Sequence, residues 1–161
     1  MTLEAIDIKI LDERATIPTR SHATDAGLDL YALGDNVIEG GATALVKTGI
    51  AVDIPEGYEG SVRPRSGLTL KTPLKVQLGT IDSGYQSDVG VIAHAVDTVV
   101  IREGDKIAQL VISPIETPVV NVVKDFDEES ERGGNGFGST DNPKQRAKEA
   151  EQFFSGMHGG W

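Results

Sequence analysis

Short runs of β-branched and aliphatic residues, each closed by a Gly or Pro turn signal within roughly 8–12 residues, recur along this chain. This spacing predicts an all-β fold, a jelly-roll-like β-sandwich or barrel. No sustained helical periodicity occurs before residue 140, and residues 64–71 are predicted to form a polar loop. The predicted strands cover residues 3–11, 44–54, 58–63, 74–78, 89–93, 98–101 and 106–112, and residues 25–32 are predicted to be a Gly-containing turn that leads into a further short strand.

Length and charge limit what the chain can bind. Its 161 residues are enough for one domain with a sizeable core. The net charge of −10 and the pI of about 4.7 disfavour long-range binding to DNA or RNA, because an acidic surface repels polyanions. A small polyanion can still bind through a local cluster of cations, so the positions of the few arginines become important.

Several classes of site and location are disfavoured by composition. Cysteine is absent, and His22, His94 and His158 lie far apart in sequence, so we expect neither a disulfide framework nor a dedicated transition-metal site. No apolar run reaches the roughly 18 residues of a membrane span. The N-terminal residues lack the basic and apolar regions of a signal peptide. We therefore expect a cytoplasmic protein that binds neither nucleic acid nor a membrane.

The character of the chain changes near residue 124. Residues 1–124 are predicted to form the β domain, and 125–140 an acidic linker followed by a flexible, glycine-rich arm. Residues 141–161 form an extension with a predicted short helix from Lys144 to Phe154, with Pro143 at its first position and Gly156 stopping it.

The stretch GTIDSGY at 79–85 connects two of the predicted strands. Gly79 and Gly84 punctuate this connection, which indicates a hairpin. Asp82 and Tyr85 lie at its tip, where a carboxylate and an aromatic ring in fixed relation suit a small polar ligand that contains a ring. The alternative is an ordinary surface turn with a side-chain cap at Asp82.

Two stretches are candidates for anion binding. Arg65 offers a planar fork of donors, Ser66 a hydroxyl and Gly67 an accessible backbone N–H. The glycine-rich arm at 132–140 combines an arginine, a Gly/Ser-rich backbone and Phe137. It is not a P-loop, because Ser139 occupies the position of the required lysine and no hydrophobic strand precedes it. A plain polar turn and a disordered linker are the respective alternatives.

Five stretches together resemble the motifs of the homotrimeric dUTPases. They read DAGLDLYA at 25–32, RPRSGL at 63–68, GTIDSGY at 79–85, GDKIAQL at 104–110 and RGGNGFGS at 132–139. Each motif alone is weak evidence, but five in the family's order and approximate spacing are highly specific. The resemblance covers residues 3 to 140.

The resemblance implies a jelly-roll subunit, a homotrimer and three active sites at subunit interfaces. One subunit would supply the third motif, a neighbour most of the first, second and fourth, and the third subunit the arm. The implied reaction is hydrolysis of dUTP to dUMP and pyrophosphate. It implies Mg²⁺ held by phosphate oxygens and waters, with no direct protein ligand.

The resemblance also implies residue roles for the base and sugar. Asp82 would be the general base that deprotonates the attacking water. Tyr85 would pack beneath deoxyribose and leave no room for a 2′-hydroxyl. The uracil edge would pair with the backbone around Gly79, Thr80, Ile81 and Gly90.

Further roles concern the phosphates and the arm. Asp29 would support the site through an arginine or water network. Arg132 and Ser139 would reach the γ-phosphate, Phe137 would stack on uracil, and glycines such as Gly138 would let the arm close as a lid. The residues implied to bind the phosphate chain are Arg65, Ser66, Gly67 and Gln109.

The sequence departs from the family pattern at three places. Val76 stands where many relatives carry an asparagine that helps read uracil, and Ser87 replaces a frequent glycine. Residues 142–161 extend past the family's usual end and could anchor the lid, dock on the trimer, bind a protein partner or be a disordered tail. Two rival functions remain: a dCTP deaminase with the same fold, or a regulatory member that binds partners.

Overall fold

The computed structural model describes residues 3–126, 130–131, 133–134 and 143–157. The chain divides into two compact units, Met1–Pro118 and Val119–Trp161. The described elements of the first unit are β1 (Asp7–Ile10), β2 (Gly27–Tyr31), β3 (Asn36–Ile38), β4 (Thr43–Val46), β5 (Ile50–Asp53), β6 (Tyr58–Arg63), α1 (Ser66–Lys71), β7 (Leu74–Val76), β8 (Gly79–Ile81), β9 (Val91–Ala95), β10 (Val99–Ile101) and β11 (Lys106–Pro114). In the second unit, α2 spans Pro143–Met157.

All of the described strand pairs are antiparallel, which confirms the predicted all-β class. The larger sheets have the orders β2-β11-β6-β8 and β4-β9-β7, and two further pairs are β1-β5 and β10-β3. β11 lies between β2 and β6. Its buried residues come in adjacent pairs, Ile107 with Ala108 and Leu110 with Val111, rather than in strict alternation, which is typical of a strand covered on both faces.

The core of the first unit is aliphatic, and among residues 3–118, which the structure describes, no aromatic side chain is fully buried. Leu30, Ile50 and Leu110 are completely buried and belong to one continuous cluster. Burying each such side chain contributes roughly 1.5–3 kcal/mol. The short strands are therefore stabilised by their shared core rather than by their individual length.

Two predictions of local structure are wrong. The predicted strand 44–54 is two strands, because the chain turns between β4 and β5 at Gly49, where φ is +73°. Residues 66–71 form the helix α1 and not an irregular loop. The predicted hairpin is confirmed in its two strands, because β7 pairs antiparallel with β9, but its connection contains β8, which pairs with β6 in the other sheet.

The remaining boundaries follow the sequence more closely. β6 has the predicted bounds, 58–63, and β11 continues to Pro114, beyond the predicted end at residue 112. β3 was not anticipated. The C-terminal helix starts with Pro143 as predicted, but it continues through Gly156 to Met157.

Candidate active site

The central strand β11 brings separate parts of the sequence together. Gln109 lies opposite Asp29 of β2 on one side and opposite Arg63 of β6 on the other. Arg65 follows two residues after the end of β6. Residues that are 80 positions apart along the chain therefore become neighbours, because one strand pairs with both partners.

A bulge in β11 places two polar side chains beside Asp29. The register shifts between Lys106 and Ala108, so that Lys106 lies opposite Tyr31 while Gln109 lies opposite Asp29. Without the extra residue, positions 106 and 109 would face opposite sides of the sheet. With it, both side chains lie on the face that carries Asp29 and Tyr31.

Asp29 is the buried anion of this cluster, with a side chain that is 11% exposed. Its Oδ1 lies 2.9 Å from Arg65 Nε, and its Oδ2 lies 2.8 Å from Lys106 Nζ. The hydrogen bond and charge of Asp29 raise the pKa of Lys106, whose ammonium also lies 5.9 Å from the centre of the Tyr31 ring. Both oxygens of Asp29 thus face cations, which neutralises the carboxylate and orients Arg65.

The expected phosphate-binding residues share one open cavity of about 600 Å³. Arg65, Ser66, Gly67 and Gln109 line it together with Asp29, as their implied roles require. A Cβ at Gly67 would meet nothing within 4 Å, so this position leaves free space beside the backbone. The cavity also has lining residues to which sequence analysis assigned no role: Ser21, Asp25, Ala26, Gly27, Leu68, Lys71 and Thr72.

A hydrogen bond across the site holds Gln109, and Gly27 leaves room for its side chain. Its Nε2 donates a hydrogen bond to the Pro64 carbonyl at 2.9 Å, directly before Arg65. A Cβ at Gly27 would lie 2.3 Å from Gln109 Oε1 and 3.0 Å from Gln109 Cβ. Gly27 therefore provides the space in which Gln109 reaches across to the arginine loop.

A second cavity, of about 290 Å³, is lined by the residues expected to bind base and sugar. These are Gly79, Thr80, Ile81, Tyr85 and Gly90. β8 is an edge strand, paired with β6 on one side, so its other side carries backbone N–H and C=O groups that are free for a ligand. The lining residues without an expected role are Leu45, Lys47, Val62, Ser87, Asp88, Val89 and Ile92.

Asp82 directly follows β8 and opens a turn. Its carbonyl accepts a hydrogen bond from Tyr85 N at 3.2 Å, and Gly84 has a φ of +83°, which favours glycine. The Asp82 side chain is exposed. Within the part of the chain that the structure describes, its carboxylate has neither a hydrogen bond nor an ion pair, so the side-chain cap of the alternative interpretation is not formed there.

The structure does not bring all of the expected site residues together within one chain. The two cavities share no lining residue, and Asp82 lines neither of them. Arg132, Phe137, Gly138 and Ser139 lie outside the described residues. Val76 is half-buried and does not line the base and sugar cavity.

The described residues offer neither a clustered metal-ligand set nor a membrane-spanning helix. Across residues 3–126 and the shorter described segments, no group of three or more His, Asp or Glu side chains lies close enough to bind a metal ion. Neither α1 nor α2, as far as they are described, has the length and apolar character needed to cross a membrane.

Comparison with known proteins gives one consistent result. Residues 13–141 match the dUTPase family. The deoxyuridine 5′-triphosphate nucleotidohydrolase of Clostridium tetani is 44% identical over 144 residues, covering 87% of this chain and 99% of the relative.

Solved structures agree with that result. A Staphylococcus bacteriophage 80alpha dUTPase with dUpNHpp superposes with a TM-score of 0.81 at 34% identity, covering 87% of this chain and all of the other. The dUTPase of S. aureus phage phi11, a structure that shows a structural Mg(II) ion, has a TM-score of 0.75 at 35% identity and covers 78% of this chain and all of the other.

Proposed function

The chain belongs to the dUTPase family and hydrolyses dUTP to dUMP and pyrophosphate, and we propose that its two cavities bind the two ends of this substrate. One observation carries the proposal. The residues expected to bind phosphate line one cavity, and those expected to bind base and sugar line the other. The open, polar cavity with Arg65 takes the triphosphate, and the smaller one beside β8 takes deoxyuridine.

Asp82 is the general base in this proposal. Its carboxylate accepts a proton from a water molecule, and the water oxygen attacks the α-phosphorus in line with the leaving group. The bond between the α-phosphorus and the α–β bridging oxygen breaks, and pyrophosphate leaves with that oxygen. The exposed Asp82 carboxylate, which has no partner in the described chain, is available to bind this water.

Arg65, Ser66, Gly67 and Gln109 hold the phosphate chain. The guanidinium of Arg65 contacts Asp29 through Nε, and its other N–H donors remain available for phosphate oxygens. Asp29 supports the site by orienting Arg65. Because both of its oxygens face cations, Asp29 does not act as a metal ligand.

Magnesium fits this site through the substrate. Mg²⁺ would be held by phosphate oxygens and its own waters, in keeping with its reluctance to lose its hydration shell. When bound, Mg²⁺ neutralises phosphate charge and orients the triphosphate. The direct protein donors to phosphate remain the residues of the Arg65 loop and Gln109.

The backbone of β8 and Gly90 recognises the uracil edge. A free strand edge offers donors and acceptors in a fixed order, so cytosine, with its reversed pattern, leaves buried groups unpaired. The narrow cavity excludes the methyl group of thymine. Tyr85 packs against deoxyribose and leaves no space for a 2′-hydroxyl.

The substrate is bound between subunits of a homotrimer. The absence of any residue shared by the two described cavities supports this arrangement, because a ligand that needs both cavities can draw them from neighbouring chains.

In the arm, Arg132 and Ser139 bind the γ-phosphate, Phe137 stacks on uracil and Gly138 permits closure. The protein is cytoplasmic and consists of the β domain at 1–124, the linker and arm at 125–140 and an extension at 141–161, of which residues 142–161 bind a protein partner.

Pyrophosphate release with Mg²⁺ tests this function, using dUTP, dCTP, dTTP and UTP in parallel. We expect rapid release from dUTP and negligible release from the other three. Ammonia from dCTP without pyrophosphate would instead indicate a deaminase. Binding of dUTP without release of pyrophosphate would indicate a regulatory member of the fold.

A further inference from the structure

Asp88 fastens the segment that follows the Asp82 turn to the break between β4 and β5. Its Oδ1 accepts a hydrogen bond from Thr48 N at 3.2 Å, and its Oδ2 accepts one from Gly49 N at 2.7 Å. The next residue continues the connection: Val89 N donates to Ile50 O at 2.8 Å, and Val89 O accepts from Thr48 Oγ1 at 2.8 Å. Four hydrogen bonds therefore join Asp88 and Val89 to residues 48–50.

The same residue contacts the ligand-binding side. The Asp88 carbonyl accepts a hydrogen bond from the Tyr85 hydroxyl at 3.0 Å and another from Gly90 N at 3.0 Å. Tyr85 and Gly90 are two of the expected base and sugar contacts that line the smaller cavity. The position of Asp88 thus fixes both the tilt of the Tyr85 ring and the start of β9.

We propose that Asp88 is a positioning residue for substrate selectivity, which acts by holding Tyr85 and Gly90 at a fixed distance from the edge of β8. This inference rests on the proposed function, since it assumes that the smaller cavity binds deoxyuridine. The physical reason is preorganisation: a wall that excludes one hydroxyl or one methyl group must be held to within a fraction of an ångström. A carboxylate that accepts two backbone N–H bonds supplies that rigidity.

Sequence analysis missed this role because Asp88 reads as one acidic residue in a polar turn. Its partners, Thr48 and Gly49, lie 40 and 39 positions away along the chain. Gly49 has a left-handed backbone, and a Cβ there would lie 2.9 Å from the Ala15 Cβ. The turn at Gly49 therefore has little freedom to move, and the hydrogen bonds that Asp88 accepts from it hold Asp88 in a fixed position.

The test compares Asp88→Asn with Asp35→Asn in the full-length protein. Asp35 is a matched control, because its carboxylate also joins distant segments, accepting from Glu103 N at 3.0 Å and Arg102 Nη1 at 2.7 Å, but lines neither cavity. For each variant, kcat and KM are measured for dUTP and UTP, together with the melting temperature. Affinities for dUMP and UMP are measured by calorimetry.

We expect Asp88→Asn to raise KM for dUTP by about tenfold and to lower the dUTP-to-UTP selectivity by a similar factor, with a smaller change in kcat. Asp35→Asn should leave both the KM for dUTP and the dUTP-to-UTP selectivity unchanged. An unchanged selectivity, with a fall in melting temperature like that of the control, would make Asp88 a structural clamp only and overturn the proposal.

Two further measurements keep the result decisive. If Asp88→Asn does not fold, Thr48→Val removes only the hydroxyl bond to Val89 of the same connection and should lower selectivity to a lesser degree; no loss would refute the inference. If the unmodified protein does not hydrolyse dUTP, the proposed function fails. In that case the ratio of dUMP to UMP affinity, with and without Asp88→Asn, still decides the role of Asp88.

Discussion

Substituting Gly27 by alanine should damage the phosphate site by displacing Gln109, without replacing any residue expected to contact phosphate. The added Cβ would lie 2.3 Å from Gln109 Oε1 and about 3 Å from Gln109 Cβ and Cδ. The amide must move away by about 1 Å to reach ordinary van der Waals contact. The Cβ of Gln109 belongs to β11, which pairs on both sides, so the strand itself has little freedom to move.

The cost follows from these distances. Losing the hydrogen bond from Gln109 to Pro64 and crowding β2 against β11 should destabilise the fold by about 1–3 kcal/mol. Pro64 directly precedes Arg65, so losing the bond that holds its carbonyl should loosen Arg65, and a misplacement of about 1 Å can reduce kcat/KM by up to about 100-fold. We expect a loss of at least tenfold for dUTP, measured at a temperature well below the melting transition.

A double-mutant cycle with Gln109→Ala isolates the mechanism. Gln109→Ala removes Oε1 and Cδ, two of the three atoms nearest to the Cβ at position 27, so the two substitutions should destabilise the protein by less than the sum of their separate effects. Urea denaturation of the four proteins gives the coupling. Additive free energies of unfolding, or full activity of Gly27→Ala, would refute the reasoning.

Three other outcomes are expected. Lys106→Met leaves Asp29 paired with Arg65 alone, so KM for dUTP should rise severalfold at nearly constant kcat. Lys106→Arg should restore the normal KM. An equal rise of KM in both variants would contradict the ion-pair role. The hydrogen bond from Arg14 lowers the pKa of Asp12 from 3.8 to about 2, so its stabilisation is present above pH 3.8 and lost as the pH falls through 2. The difference in melting temperature between the unmodified protein and Asp12→Asn should therefore be constant at pH 5–7 and shrink towards pH 2. Truncation after Glu131 should remove most activity and leave the oligomeric state, measured by light scattering, unchanged; full activity would exclude the lid role of the arm.

The local sequence pattern was sufficient to predict the bounds of an element whose conformation is determined by its own residues rather than by distant contacts. The bounds of β6 and the start of α2 at Pro143 were predictable from alternation and from the fixed φ of proline. α1 was missed because its six residues are too few to show a helical period and none of them is buried. Its existence depends on the surrounding structure, including Lys75, whose ammonium donates to the carbonyl of Thr72 at 3.1 Å near the end of the helix.

The candidate site was predictable only in its most recognisable parts. The motifs identified Asp29, Arg65 and Gln109, but strand pairing across β11 decides that they meet. Lys106 and Asp88 escaped prediction because a bulge and a long-range clamp, which leave no periodic trace in the sequence, give them their roles. The pairing of Gly79–Ile81 with β6 instead of β9 was not predicted for the same reason, since a local pattern does not reveal the partner of a strand.

The most direct test of the account is the turnover of Asp82→Asn compared with its binding of dUTP. The amide keeps the size of the side chain and loses its ability to take a proton. We expect kcat to fall by at least about 100-fold, the scale of general-base catalysis, while the affinity for a non-hydrolysable dUTP analogue stays within about threefold. Turnover that is unchanged would show that Asp82 is not the base and would remove the central step of the proposed mechanism.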